Sequence, residues 1–220
     1  MKGLEYQTVF VDFPDIEALY IKLGAKPTGL QLDGSGRPRY TLPVIQDPHH
    51  GPEPISDSFA IAEYLDRTYP ETPTLLPSGT NALQAAFIST FEKNVKLWPI
   101  MLPATHTNLR KPGQEYYRKT VETLIGKKLE DLSPPGPVRE ECWKQVKQWF
   151  DVVDGWFQKE EGPYFMGNKI SFADIVVASY LTWVRIILGE ESEGWKDIIT
   201  WNSSRWGKLT DIFDAWATVT

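Results

Sequence analysis

Residues 41–65 read TLPVIQDPHHGPEPISDSFAIAEYL, and this stretch decides the fold of the N-terminal part of the chain. A β-branched run that contains Pro43 predicts a strand, and the proline removes one ladder donor from it. Ser58 precedes apolar residues at helical spacing, so the sequence predicts a helix over residues 58–69. A simple interpretation is that Pro43 only ends a strand and Ser58 only caps this helix.

A second interpretation of the same stretch is a binding site. A cis bond between Leu42 and Pro43 would turn the Leu42 N–H and C=O outward, where they can pair with an extended peptide. Asp57 and Ser58 lie at a helix N-terminus, whose free amides and dipole favour a bound carboxylate. The Asp57 carboxylate is placed to meet an ammonium group.

Strand and helix patterns alternate outward from this stretch. Residues 6–13 are rich in β-branched and aromatic side chains and predict a strand, and residues 16–23 predict a helix that Asp15 caps and Gly24 ends. A glycine-rich stretch over 24–38 predicts a loop, and short strands are expected at 40–46 and 53–56. Prolines between residues 70 and 77 mark a linker.

From residue 80 onward the sequence predicts only helices. They are expected over 81–101, 113–132, 138–158 and 171–188, with short helices after 191 and 204, and Pro99 should end or kink the first. Ser171 and Asp174 have the spacing of a capping box at the start of a helix that is apolar all round. We therefore expect an α/β domain over 1–70, a linker over 71–79 and an all-helical domain over 80–220.

Composition excludes several classes of protein. The net charge is −6 and there is no long run of Lys and Arg, so nucleic acid is not expected as a partner. The longest apolar stretch is too short to span a membrane, and the N-terminus has no signal-peptide pattern. Cys142 is the single cysteine, and with His49 and His50 it matches no metal-site spacing. A cytoplasmic protein without a metal or a disulfide is predicted.

Two motifs, about a domain apart, resemble a known family. Leu42-Pro43, followed by Asp57-Ser58 and the helix after them, resembles the glutathione-binding domain of glutathione transferases. Residues 162–174, GPYFMGNKISFAD, resemble the start of the central helix of their second domain. Residues 2–6 and 11–17 resemble a fungal group related to bacterial β-etherases. The resemblance covers nearly the whole chain and implies a thioredoxin-like α/β domain followed by an all-helical domain.

The resemblance also implies roles for particular residues. Leu42, beside a cis Pro43, would bind the cysteinyl backbone of glutathione, the co-substrate, and Asp57 and Ser58 would hold its γ-glutamyl end. Trp98, with His106 nearby, would border the pocket for a small hydrophobic or aromatic compound, although Trp98 can equally be core filler. Proteins of this family form homodimers, so a homodimer is expected.

One departure from the family concerns the thiolate-activating residue. Residues 2–6 resemble the end of the family's first helix, so the first strand, most of that helix and the activating residue between them have no expected counterpart. Either residues 6–13 take the central place in the sheet, or a dimer partner or loop 24–40 covers the edge. Tyr6 and Ser35 are weak candidates for replacing the activating group, and low transferase activity is expected.

Three functions follow as hypotheses. The first is a glutathione-dependent transferase, lyase or isomerase that acts on a small aromatic or terpenoid-like compound, in detoxification or secondary metabolism. The second is a non-catalytic module that binds a hydrophobic ligand or a protein. The third is a lyase or isomerase that no longer uses glutathione.

Overall fold

This computed structural model describes residues 1–217 and, for Pro52, only the backbone. The described residues hold eight α-helices and four strands, in the order α1 (Ile16–Leu23), β1 (Gly29–Leu30), β2 (Pro38–Arg39), β3 (Val44–Asp47), β4 (Gly51–Ser56), α2 (Ser58–Thr68), α3 (Asn81–Asn94), α4 (Trp98–Asn108), α5 (Lys111–Ile125), α6 (Pro137–Phe157), α7 (Phe172–Leu188) and α8 (Glu193–Asp214). The last helix has a break in its φ and ψ angles at residues 201–204, so it consists of two helical pieces, as predicted.

The chain divides into two compact units. The N-terminal unit holds Lys2–Leu75 together with Leu109–Lys127, and therefore includes α5. The helical unit holds Leu76–Asn108 and the residues from Lys128 onward, together with Met1. Within the N-terminal unit α5 packs against the 3-10 turn Phe13–Asp15, with the ring centroids of Phe13 and Tyr117 5.4 Å apart.

The predicted strand over residues 6–13 is wrong. Residues 1–12 hold neither helix nor strand, and a 3-10 turn follows them. A strand needs a neighbour to complete its backbone hydrogen bonds, and none of the four strands in the described residues pairs with this segment. Two of its apolar side chains lie largely in water, with Val9 75% and Phe10 81% exposed. The proposed move of residues 6–13 to the centre of a sheet is therefore not observed.

The remaining elements of the N-terminal unit follow the sequence more closely. Helix α1 ends, as predicted, at Gly24, whose φ of 68° is the left-handed conformation that favours glycine. Asp15 precedes that helix but makes no capping hydrogen bond with its side chain. The expected loop contains the two-residue strands β1 and β2, which pair antiparallel. β3 is shorter than predicted and pairs antiparallel with β4, with Val44 opposite Ser56.

The sequence overestimates the length of two helices. The predicted helix over 81–101 is two helices, because the chain leaves the helical conformation at Val95, where ψ is 120°. Pro99 lies in the first turn of α4, where its missing N–H breaks no helical hydrogen bond. The predicted helix over 113–132 ends at Ile125, followed by Gly126 at a φ of 67° and a 3-10 turn at Leu129–Asp131.

The helical unit is built around α7, as its apolar sequence predicts. This helix packs against α3, α4 and α8 and buries eight side chains, namely Phe172, Ala173, Asp174, Val176, Val177, Ala178, Leu181 and Val184. Its start has the predicted capping box of Ser171 and Asp174. From residue 80 to residue 217 the only β-type pairings are two isolated bridges within residues 164–169, so helices joined by loops make up this part of the chain.

Candidate functional site

The segment before β3 presents a free piece of backbone. The Leu42–Pro43 peptide bond is cis, and Leu42 is 39% exposed. Among the described residues the Leu42 N–H and C=O have no hydrogen-bond partner. This leaves one donor and one acceptor available for an extended peptide, the arrangement that the sequence predicts.

The start of α2 combines a cap with unused polar atoms. Asp57 is the N-cap, and its Oδ1 accepts hydrogen bonds from the amides of Phe59 and Ala60, each at 3.0 Å. Within the described residues, no partner is found for its Oδ2 or for the Ser58 hydroxyl, and both residues are exposed. One carboxylate oxygen therefore serves the helix, while the other can meet a cation.

The backbone of Asp57 is itself unusual. Its φ is 78° and its ψ is 125°, a region that residues with a side chain seldom adopt. Such a conformation costs about 1–3 kcal/mol and persists where the surrounding structure enforces it, commonly at binding sites.

The β3–β4 hairpin brings these two pieces together. Because Val44 lies opposite Ser56, Leu42-Pro43 enters the hairpin at the end from which Asp57-Ser58 leaves. Opposite residues in such a pair have Cα atoms about 4.5–5.5 Å apart. The free backbone and the helix start thus share one end of the hairpin, within the ~10 Å span of an extended tripeptide.

A side chain that the sequence did not single out supports this end of the hairpin. Tyr20 of α1 is completely buried, and its hydroxyl donates a hydrogen bond to the carbonyl oxygen of Thr41. Burial raises the pKa of this hydroxyl, and the charge of Asp57 adds to the rise, while its hydrogen bond with Thr41 opposes it. The one sequence signal for Tyr20 is its helical spacing from Ile16, which predicts burial but no partner.

The other end of the hairpin holds a cluster around Asp47, which the sequence did not predict either. The Asp47 carboxylate accepts hydrogen bonds from the hydroxyls of Tyr64, at 2.8 Å, and Tyr69. His50 Nδ1 lies 3.2 Å from the same carboxylate. The Tyr69 hydrogen bond is the main reason why the pKa of Asp47 lies well below its usual range, and it raises the pKa of Tyr69 to about 12. These hydrogen bonds connect the turn of the hairpin to α2 and to the residue that follows it.

The two weak catalytic candidates lie in irregular segments. Tyr6 is 54% exposed within residues 1–12. Ser35 lies in an exposed turn, where its hydroxyl accepts hydrogen bonds from the amide of Arg37 at 3.3 Å and from its Nε at 3.2 Å. Hydrogen bonds from Ser35 lower the pKa of Asp33, in the same turn, to about 2. The contacts of Ser35 are thus those of a polar turn.

In the helical unit Trp98 belongs to an aromatic cluster. The ring centroid of Trp98 lies 5.5 Å from that of Trp183 and 6.1 Å from that of Tyr180, and Trp98 is 41% exposed. Burial, and then the charge of Glu92, raises the pKa of Tyr180 to about 12. His106 lies two turns along α4 from Trp98 and is half-buried. Sequence analysis missed both Tyr180 and Trp183.

The described residues hold neither a metal-binding group nor a membrane-spanning helix. Across residues 1–217 no three His, Cys, Asp or Glu side chains are grouped in a way that could hold a metal ion. None of the helices in that same part of the chain is both long enough and apolar enough to span a membrane.

Comparison with known proteins identifies the family. Residues 1–68 match the family model of the glutathione S-transferase N-terminal domain, and residues 82–216 match that of the C-terminal domain. The chain therefore belongs to the glutathione S-transferase family. Its fold is a small α/β thioredoxin-like domain with few strands, followed by an all-helical domain, as predicted.

Several similar proteins come from fungi. The crystal structure of CsGST63524 of Ceriporiopsis subvermispora, in complex with glutathione, is 40% identical with a TM-score of 0.94, and the match covers 100% of this chain and 87% of that one. GSTFuA3 of Phanerochaete chrysosporium is 36% identical with a TM-score of 0.90, over 100% of this chain and 86% of that one. The glutathione S-transferase-like protein ustS of Aspergillus flavus is 27% identical, over 98% of this chain and 79% of the relative. The lack of a counterpart to the family's first strand and helix stays a prediction, as do the domain limits at residues 70 and 80.

Proposed function

We propose that this chain binds glutathione between Leu42-Pro43 and the start of α2, and that it acts as a glutathione transferase or lyase on a small hydrophobic or aromatic compound. The observation that carries the proposal is the β3–β4 register, since Val44 opposite Ser56 brings the two binding segments to one end of the hairpin. Two similar crystal structures, CsGST63524 and CsGST83044, are complexes with glutathione.

The chemistry of glutathione fits the available groups. Its cysteinyl backbone has one N–H and one C=O, which can pair with the C=O and N–H of Leu42 as an added strand does. Its γ-glutamyl end carries an ammonium group, which suits the open Oδ2 of Asp57, and a carboxylate. That carboxylate suits the Ser58 hydroxyl and the positive end of the α2 dipole.

The second substrate is assigned to the aromatic cluster of the helical unit. The partly exposed face of Trp98, backed by Tyr180 and Trp183, offers the stacking surface that a flat aromatic compound requires. His106 would border the same surface. A role in detoxification or secondary metabolism, a homodimeric state and a cytoplasmic location stay predictions.

Activation of the glutathione thiol is the step to which no residue has been assigned. A free thiol of pKa ~8.5 is only a few per cent ionised at pH 7, so a transferase needs a donor that stabilises the thiolate. Ser35 is occupied within its own turn, an observation that favours the second candidate function, a non-catalytic module that binds a ligand or a protein. A lyase or isomerase that does not use glutathione is the third.

Calorimetric titration with glutathione tests the binding proposal. We expect the wild-type chain to bind, and Ser58→Ala to weaken binding about three- to tenfold, because one hydrogen bond to a charged carboxylate is lost. Ser89→Ala, an exposed helical serine in α3, serves as the matched control and should leave the affinity unchanged. Absence of wild-type binding, or equal losses in the two variants, would contradict the proposal.

Turnover of glutathione with aromatic electrophiles separates the candidate functions. Binding with turnover indicates the enzyme, binding without turnover the module, and turnover of a compound without glutathione the third candidate. If Tyr6 supplies the thiolate donor, Tyr6→Phe should lower the rate about 10²- to 10³-fold.

A further inference from the structure

We propose that Tyr20 is a positioning residue for glutathione, whose hydroxyl fixes the peptide group that offers the Leu42 N–H to the ligand. This inference rests on the proposed glutathione site. Tyr20 is completely buried in α1, and its ring packs against Tyr40 with the centroids 5.2 Å apart. It therefore has no direct access to glutathione and would act through the backbone.

The connection runs through a single peptide group. The hydroxyl of Tyr20 donates its hydrogen bond to the carbonyl oxygen of Thr41. That carbonyl and the N–H of Leu42 belong to the same planar peptide unit, so a bond that holds the oxygen also sets the direction of the N–H. Thr41 and Leu42 precede β3, outside its ladder of hydrogen bonds with β4. The Tyr20 bond thus restrains a peptide group that the hairpin itself does not.

The same bond has an electronic effect. A donor on the carbonyl oxygen polarises the amide and makes its N–H a stronger donor, a cooperative effect of about 10–30% per bond. For this the Tyr20 hydroxyl must keep its proton. A tyrosine is protonated at neutral pH, and burial, with a contribution from the charge of Asp57, raises the pKa of this one further.

Helix α1 is also tied to the other half of the site. The Ser56 hydroxyl, next to Asp57, donates a hydrogen bond to the carbonyl oxygen of Lys26 at 2.8 Å, just beyond the end of α1. The segment that would hold the cysteinyl backbone is thus bonded to Tyr20 of α1, and the segment that would hold the γ-glutamyl end is bonded to the backbone just after α1.

A purely structural tyrosine would show a different pattern, and Tyr69 provides the comparison. Its hydroxyl donates to the Asp47 carboxylate at the opposite end of the hairpin and just after α2. Loss of the Tyr69 hydroxyl removes a hydrogen bond from the N-terminal unit, as loss of the Tyr20 hydroxyl does, but it removes no contact of Leu42 or Asp57. Tyr69→Phe is therefore a matched control for Tyr20→Phe.

The test measures the glutathione dissociation constant by calorimetry and the urea midpoint of each variant. We expect both variants to lower the midpoint, but only Tyr20→Phe to weaken glutathione binding, by about three- to tenfold. Equal affinity in Tyr20→Phe and the wild type, or an equal loss in Tyr69→Phe, would overturn the inference.

Two further arms keep the test decisive. If Tyr20→Phe does not fold, amide hydrogen exchange in the wild type takes its place: glutathione should slow exchange at the Leu42 N–H, and exchange there that saturating glutathione leaves unchanged would overturn the inference. A wild-type chain that does not bind glutathione would overturn the proposed function itself. A wild-type chain that binds, with Tyr20→Phe binding equally well, would overturn only the role of Tyr20.

Discussion

Two helix N-termini in this chain use the same side chains for different purposes. At α7 the Asp174 carboxylate is buried and accepts hydrogen bonds from the amide of Phe165 at 2.7 Å and from the amide and hydroxyl of Ser171, each at 2.8 Å. At α2 the Asp57 carboxylate is exposed, and within residues 1–217 only one of its oxygens is bonded, to amides of its own helix. Burial and full hydrogen bonding make the first pair a folding element, whereas the second keeps polar atoms available for a ligand.

The backbone at the two caps differs in the same way. Ser171 has a φ of −132°, an extended conformation that any residue adopts, while Asp57 has a φ of 78°. Glycine would adopt the Asp57 conformation without strain, but it would lose the two hydrogen bonds by which the aspartate caps α2. That the second carboxylate oxygen of Asp57 serves a ligand stays a prediction.

Removal of the buried carboxylate is the strongest test of this contrast. Asp174→Ala should destabilise the protein by about 3 kcal/mol, because it leaves the buried amides of Ser171 and Phe165 without partners. Urea denaturation measures the loss, and Ser58→Ala, which removes a polar group at the exposed cap, should change the midpoint little. Glutathione affinity of Asp174→Ala should stay at the wild-type value under conditions where the variant is folded. An unchanged midpoint would remove the argument that the α7 cap is a folding element.

Substitution at the exposed cap should show the opposite pattern. Asp57→Gly removes the carboxylate but relieves the positive φ, and glycine is itself an acceptable N-cap. We expect the free energy of unfolding to stay within about 1 kcal/mol of the wild type and the affinity for glutathione to fall more than about tenfold, since a charged partner is lost. The matched Asp57→Ala variant should lose affinity similarly but also lose stability, because alanine neither caps nor adopts that φ easily. Wild-type affinity in Asp57→Gly would mean that the α2 cap is not a binding element.

A third carboxylate, Asp47, extends the comparison to pH. Hydrogen bonding, first from Tyr69, holds the pKa of Asp47 well below its usual range. Its contribution to stability is therefore complete above the unfolded-state pKa of about 3.9 and is lost as the pH falls through the lower folded-state value. Urea midpoints should consequently differ between the wild type and Asp47→Asn at pH 6 and converge as the pH is lowered below about 4. A difference that stays constant down to pH 2 would contradict this assignment.

The sequence by itself determined the elements whose signals are local. Ser171 and Asp174 are three residues apart, so their capping box, and with it the start of α7, could be predicted from spacing. Apolar periodicity located α2 and α6, and the flanking residues Asp15 and Gly24 located α1. The candidate site was also predictable in part, because Leu42-Pro43 and Asp57-Ser58 are short motifs on a single hairpin. Their roles in binding glutathione stay predictions.

Tertiary structure alone decided what depends on partners distant in the sequence. Residues 6–13 have strand-forming composition, yet a strand exists only with a neighbour to complete its backbone hydrogen bonds, and no strand in the described residues supplies one. The sequence predicts one helix that continues through Val95, but the chain leaves the helical conformation at that residue. Tyr20 reaches Thr41 across 21 positions and Trp98 meets Trp183 across a still longer interval, and no pattern in the sequence encodes either contact. Spacing along the chain predicts which faces are apolar, whereas the partner of a given hydroxyl or ring is set by how the elements pack.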